Sequence, residues 1–355
     1  MTDVRHWIAP GCVNLLGGPL EGDGGPVLPI AVDRYLTLKA RLRDDDAVRV
    51  WTTLDGKQST EFTVAVQPGE VTGWADRVAG VVRALADAGN ELRGADLVIA
   101  GDLPAGVGLS SSAAVESVVA VALNDLLGLG LDRPALAALA GGTTDHLAVL
   151  NGTSGQALFI DTSKEPARVD AVDADWAAAG LSLVVIAPRQ DSVDRRYDER
   201  REECERAADT LGLELLATAG PDAVLKLDDD MLRARARHVI TETARVRGAV
   251  RALRTGNWTQ FGSMLTASHA SMRDDFAASR LELDIAVEAA LEAGAVGARM
   301  SGFGGNVIAL INTTALGAMA ERVSGRFAFH QFAAPKLFTV AAADGARGQS
   351  FGSTQ

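Results

Sequence analysis

The chain has 355 residues, 47% of them hydrophobic and 23% charged, with a formal net charge of −12. That length suits two cores of roughly 150 to 190 residues better than one, and the acid excess argues against a nucleic-acid partner. There is no apolar run of about 18 residues and no basic stretch ahead of an apolar one near Met1, so the expectation is a soluble, unexported, cytoplasmic protein with no membrane partner.

In chain order, the stretch from Val4 to Val50 reads as short strands joined by turns. Trp7 to Ala9 comes first, then a Gly/Asp-rich turn from Leu20 to Gly25, then Val27 to Val32 and Tyr35 to Arg41 with near alternation. Trp74 to Ala88 carries apolar residues at helical spacing, and Leu97 to Ala100 is a compact apolar run, a buried strand leading into a glycine-rich loop. Helices are expected over Ser112 to Leu127 and, after Asp132 and Pro134, over Ala135 to Ala140. Leu181 to Ile186 is a strand, and a loop from Pro188 to Ser192 precedes a charged helix, Arg195 to Leu211. The domain boundary is expected near Pro188, dividing the chain into 1–187 and 188–355.

The second half reads as helical over Asp228 to Leu253, Trp258 to Ser271 and Leu281 to Ala293. Strands follow at Val307 to Ile311 and Lys336 to Ala342, with a helix from Ala315 to Arg326 between them. The tail from Gly348 to Gln355 is expected to be disordered. The cysteines, Cys12 and Cys204, lie far apart and outside any C-x-x-C or Cys/His pattern, which excludes a disulfide framework or zinc site and fits a reducing compartment.

The most informative segment runs from Gly101 to Ala114. Gly106 and Gly108 let the backbone approach a ligand closely, and Ser110, Ser111 and Ser112 sit where a helix N-terminus presents unpaired N–H groups and partial positive charge. Phosphate is the natural occupant. A Walker loop would need G-x-x-x-x-G-K-[ST], and the dinucleotide fingerprint has another spacing, so neither is indicated.

The segment from Pro104 to Ala114 resembles the second motif of the GHMP kinases, and the chain is similar to galactokinases over nearly its whole length. Ala9 to Gly17, Gly24 to Ala31, Tyr197 to Cys204, Ala236 to Arg245, Ser268 to Phe276 and Gly297 to Gly305 resemble galactokinase segments in the expected order. The resemblance implies an α/β (α+β) two-domain GHMP kinase fold with the active site in the cleft between domains. It implies ATP held by Gly106, Gly108, Leu109, Ser110, Ser111, Ser112 and Ala113, with the third motif, Gly302, Gly304 and Gly305, closing over the phosphates. Ser112 would be the Mg²⁺ ligand. Asp145 lines up with the catalytic carboxylate, and Glu21, Asp23, Gly142, Asp145 and Tyr197 would face the polyhydroxylated acceptor.

Against that family pattern, Cys12 stands where galactokinases carry an Arg, and Gly17 to Gly22 replaces G-E-H-T-D-Y, leaving Glu21 as the acidic counterpart. The chain passes from Ala140 through Gly141, Gly142 and Thr143 without the family segment that includes a metal-binding Glu, and the third motif is shorter than the family's. Two readings follow from the retained serine loop and Asp145. One is a kinase transferring the γ-phosphate to a hydroxyl, expected to be anomeric, of a sugar, sugar phosphate or cyclitol. The other is a catalytically impaired nucleotide- and sugar-binding regulator. A monomer is expected in either case.

His6, His146, His238, His269 and His330 show no metal-ligand spacing and read as structural or surface residues. Asp228 to Asp230 reads as a solvated helix start. Trp51 and Trp74 occupy family positions that could flank adenine, but core packing is the expected role for both.

Overall fold

A computed structural model describes residues 4–18, 24–54, 56–104, 106–189, 196–302 and 304–349. The first sheet is built from β1 (Arg5–Leu16), β2 (Pro26–Leu42), β3 (Ala47–Thr52), β4 (Gln58–Thr63) and β5 (Ala95–Gly101), joined by β6 (Gln156–Asp161), β7 (Arg168–Asp173) and the late strand β12 (Arg347–Gln349). Its strand order is β12-β1-β2-β5-β3-β4, with β6 pairing β2 and β7. The expected short opening strands are two long ones. β1 and β2 stay antiparallel from Arg5↔Ala40 to Leu16↔Leu28 by shifting register at Pro10/Gly11 and Asn14/Leu16, so Gly and Pro bend the ladder without ending it.

Against this sheet pack α1 (Asp76–Asp87), α2 (Ser111–Leu127), α3 (Arg133–Ala140) and α4 (Thr144–Asn151). α1 buries Val78, Val81, Val82 and Leu85, the apolar positions legible at helical spacing. α3 starts on Asp132, whose side chain accepts from Ala135 N, with proline in its first turn.

The second sheet is antiparallel, in the order β11-β8-β10-β9. It contains β8 (Leu181–Ala187), β9 (Gly297–Ser301), β10 (Asn306–Asn312) and β11 (Lys336–Val340). The expected boundary near Pro188 falls after β8, when the chain has already entered this sheet. Strand alternation fixes how the two units join. Leu183 and Val185, with Ile308 and Leu310, belong to the core that continues into the first unit. Val184 and Ile186, with Val307, Ala309 and Ile311, face a second core formed with α5 (Arg196–Leu211), α6 (Asp230–Arg254), α8 (Leu281–Glu292) and α9 (Leu316–Phe329). α7 (Trp258–Asp274) sends Phe261 and Leu265 into the shared core.

Two expectations change. Trp51 lies on β3 with 40% of its surface exposed, so it is no core residue, whereas Trp74 is partly buried against the first core. Gly348 and Gln349, expected in a disordered tail, pair with Trp7 and His6 of β1. Asp229 caps α6 by accepting from Leu232 N, as a solvated helix start requires. Among the described residues no helix is long and apolar enough to cross a membrane.

Candidate active site

The glycine-serine loop lies between β5 and α2 and is docked on β1. A Cβ on Gly11 would come within 2.7 Å of the Leu109 carbonyl oxygen, so only glycine permits this approach, and the Cys12 N–H then donates to that oxygen at 3.1 Å. Leu109 is itself buried, so it anchors the loop through its side chain and carbonyl. Ser110 follows with φ +51°, a left-handed conformation uncommon outside glycine.

Ser110 occupies the cap position of α2 without capping it. Its Oγ instead donates to Asp145 Oδ2 at 2.6 Å. The first-turn N–H groups of Ser111, Ser112 and Ala113 therefore meet no capping side chain, and the positive end of a 17-residue helix faces the loop. That is an anion site in the making. Gly106 has open space where a side chain would stand.

Asp145 is the second residue of α4. This helix was not separated out in the sequence because it is only eight residues long; it is nucleated by a capping box in which Thr143 Oγ1 accepts from His146 N while His146 Nδ1 reaches back to Thr143 N. Asp145 accepts from the Ser110 hydroxyl and has the Cys12 thiol as its neighbour. Burial first, and the neighbouring Asp145 charge second, push the Cys12 thiol well above its ordinary value, so it stays protonated.

His146 Nε2 meets Glu116 Oε2 at 2.8 Å, and Glu116 Oε1 accepts from Arg77 at 2.9 Å. Glu116 stands one helical turn beyond Ser112 and lines a cavity of about 480 Å³ between α1, α2 and the end of α3, with Arg77, Gly80, Arg83 and Gly141. Gly142, with φ +73°, closes the short link to α4.

The third glycine motif joins β9 to β10. Gly302 and Gly304 have positive φ, and Gly305 packs against Gly108, where a Cβ would meet Asn306 Nδ2 at 2.7 Å and Gly305 Cα at 3.0 Å. The structure thus brings Gly106, Gly108, Ser110, Ser111, Ser112, Ala113, Asp145 and the third motif into one region. Glu21 and Asp23 lie outside the described residues, as does the side chain of Tyr197 on α5.

Sequence reasoning missed Asn306 and Glu242. Asn306 directly follows the glycine motif, which could have flagged it. Glu242, fully buried on α6, accepts from Gly17 N at 3.0 Å and Ser268 Oγ at 2.7 Å, pairs with Arg245 at 2.6 Å and lies 3.9 Å from Arg299 Nη1. Burial would raise its proton affinity, but Arg299 and then Arg245 outweigh that and hold it at about 2. Arg299 also donates to the Leu15 carbonyl and Ser301 to that of Asn14, so the end of β1 is gripped from the second unit. No helical or strand periodicity marks such a grip, because its partners are hundreds of positions apart.

His146, His238 and His269 have structural roles, as expected: His146 closes the capping box of α4, His238 bonds Ser271, and His269 accepts from Met300 N. No group of three metal-binding side chains occurs among the described residues. Magnesium bound with a nucleotide needs only one or two protein ligands beside phosphates and water, so the hydroxyl of Ser112 at an uncapped helix start fits that ion.

Residues 76–157 match the model for the GHMP kinases N terminal domain and residues 249–328 that for the GHMP kinases C terminal. The chain is 38% identical to a galactokinase of Streptomyces coelicolor, covering 96% of this chain and 93% of that one. It is likewise 38% identical to a galactokinase of Mycobacterium tuberculosis, over 85% of this chain and 88% of the other. Among solved structures, Lactococcus lactis galactokinase complexed with galactose superposes with a TM-score of 0.89 at 29% identity, covering 97% of this chain and 95% of that one. Methanococcus jannaschii mevalonate kinase superposes at 0.70 with 16% identity, a likeness of fold alone.

Proposed function

The chain belongs to the GHMP kinases and, within them, to the galactokinase family, and from that premise we propose how this ATP-dependent sugar kinase works and what distinguishes its acceptor. The observation that carries the reading is the Ser110–Asp145 hydrogen bond, which fixes a carboxylate beside a helix N-terminus free to bind phosphate. The impaired-regulator alternative is not favoured by the family likeness.

Here the phosphates of ATP lie over the start of α2, taking the N–H groups of Ser111, Ser112 and Ala113, and the nucleoside end extends past Glu116 toward the cavity beside α1. Ser112 would hold Mg²⁺ together with the phosphates. When bound, that ion neutralises charge on the transferring group. Asp145 orients an acceptor hydroxyl, the anomeric one in this reading, and takes its proton as the hydroxyl oxygen bonds to the γ-phosphorus. The bond from that phosphorus to the β-phosphate oxygen breaks, and ADP leaves with the electron pair.

The Lactococcus lactis galactokinase was solved with galactose. In this chain Gly18, Pro19 and Gly22 replace polar positions of the family's sugar grip, so the acceptor is a sugar that needs fewer contacts there, a modified or phosphorylated hexose before a plain one, with a cyclitol the next class. We read the protein as a monomer. The test is ADP release with Mg²⁺ across hexoses, sugar phosphates and cyclitols. Sugar-dependent release with galactose among the slower acceptors is expected; galactose as the best substrate overturns the acceptor reading, and no sugar-dependent release overturns the mechanism.

A further inference from the structure

Three successive carbonyls of the glycine-serine loop are held from two sides. Cys12 N–H of β1 donates to Leu109 O, while Asn306 Nδ2, at the first position of β10, donates to Val107 O at 2.8 Å and to Gly108 O at 2.9 Å. Asn306 is fully buried. Its orientation follows from chemistry: two carbonyl oxygens accept only, so the amide nitrogen must face them. The Oδ1 atom is then left buried with no hydrogen-bond partner. A buried acceptor left unpaired costs about 1–3 kcal/mol, a cost the site accepts to keep the donor where it is.

A trans peptide sets its N–H opposite its carbonyl. Turning the Val107 and Gly108 carbonyls toward Asn306 therefore turns the N–H groups of Gly108 and Leu109 away from it. The Leu109 carbonyl, held by Cys12, does the same for Ser110 N–H. We propose that Asn306 is a positioning residue, contributed by the second unit, which aims the loop's N–H groups at the nucleotide phosphates. Gly108 makes this possible, since any side chain there would occupy the place of the Asn306 amide. Because Asn306 starts β10, these hydrogen bonds tie the loop to the strand that follows the third motif.

This rests on the reading of the loop as a phosphate site, and the experiment separates the two. Binding of ADP and of adenosine to the full-length protein is measured by calorimetry or competition for wild type, Asn306→Ala and Asn306→Asp, with thermal stability followed in parallel. Asn306→Ala removes the donor with little strain, and Asn306→Asp keeps the shape while setting oxygen against oxygen. The expected result is ADP affinity at least about 10-fold weaker in both variants, more so for Asn306→Asp, with adenosine affinity unchanged. Equal weakening of both ligands shows a structural role only and overturns the inference, as does unchanged ADP affinity. Wild type that binds ADP no better than adenosine overturns the phosphate-loop reading itself.

Discussion

The molecule holds two carboxylates close to the join between its units, and they are held in opposite ways. Glu242 is fully buried, flanked by Arg299 and Arg245, and also bonded by Ser268 and the Gly17 N–H. Asp145 is bonded by the Ser110 hydroxyl and stands beside the protonated Cys12 thiol. The difference separates structure from chemistry. A carboxylate surrounded by cations and satisfied on every side is committed to its place, whereas the other is fixed in position with no cation bonded to it.

The largest effect that tests this contrast is on turnover. Asp145→Asn keeps the shape and removes the base, so phosphoryl transfer should fall about 1,000-fold, within the range general bases supply, while ADP affinity measured by calorimetry stays the same. Equal single-turnover transfer by the variant would remove Asp145 from the mechanism. At Glu242 the effect should be on stability: Glu242→Ala leaves two guanidinium groups uncompensated near the end of β1, and urea unfolding should show a loss on the order of 3 kcal/mol. A variant as stable as wild type would mean that the buried network is not what joins the units.

Acid should act on the same network. His238 and His269 are held at about 4, chiefly by burial, below their ordinary value of 6.5. In that interval the unfolded chain binds protons that the folded one refuses, so stability is full above pH 6.5 and is lost as the pH falls toward about 4. Glu242, ordinarily 4.5 and held at about 2, extends the loss through the range between those values. Thermal melts from pH 7 to 3 should show a monotonic fall, and a stability maximum near pH 5 would contradict it. The smallest effects concern the neutral holders of Asp145. Ser110→Ala should lower turnover about 10-fold by freeing the carboxylate, and Cys12→Ser, which preserves a neutral donor, should change it less than threefold by the same measure. A larger loss at Cys12 than at Ser110 would reverse their ranking.

How far the sequence revealed this arrangement depends on the reach of each signal. The serine loop and α2 were legible because glycine freedom, hydroxyls and a helix start are encoded within a dozen neighbouring positions. Asp145 was found through its family register, yet its helix was not, since α4 depends on a local capping pair instead of a long apolar face. The strands β1 and β2 read as fragments because Pro10, Gly11 and Asp33 look like breaks until their partner strand is known. Core packing was the expected role of Trp51 over flanking adenine, but it sits exposed on β3. The grips of Asn306 on the loop and of Glu242, Arg299 and Ser301 on β1 join positions far apart, and single-chain patterning carries no mark of such pairs.

The return of the chain to β1 bears on how the protein is made. β12 closes the outer side of β1, Ala343 N–H donates to Ala31, and Arg133 donates to the Ala346 carbonyl. These contacts are made by residues that follow the whole of the second unit in the chain, so the first unit is completed only when that later stretch docks. Until then the strand that carries Cys12 presents one open edge, a template for pairing with other chains. A copy cleaved between β11 and β12 would carry that edge of β1 uncovered.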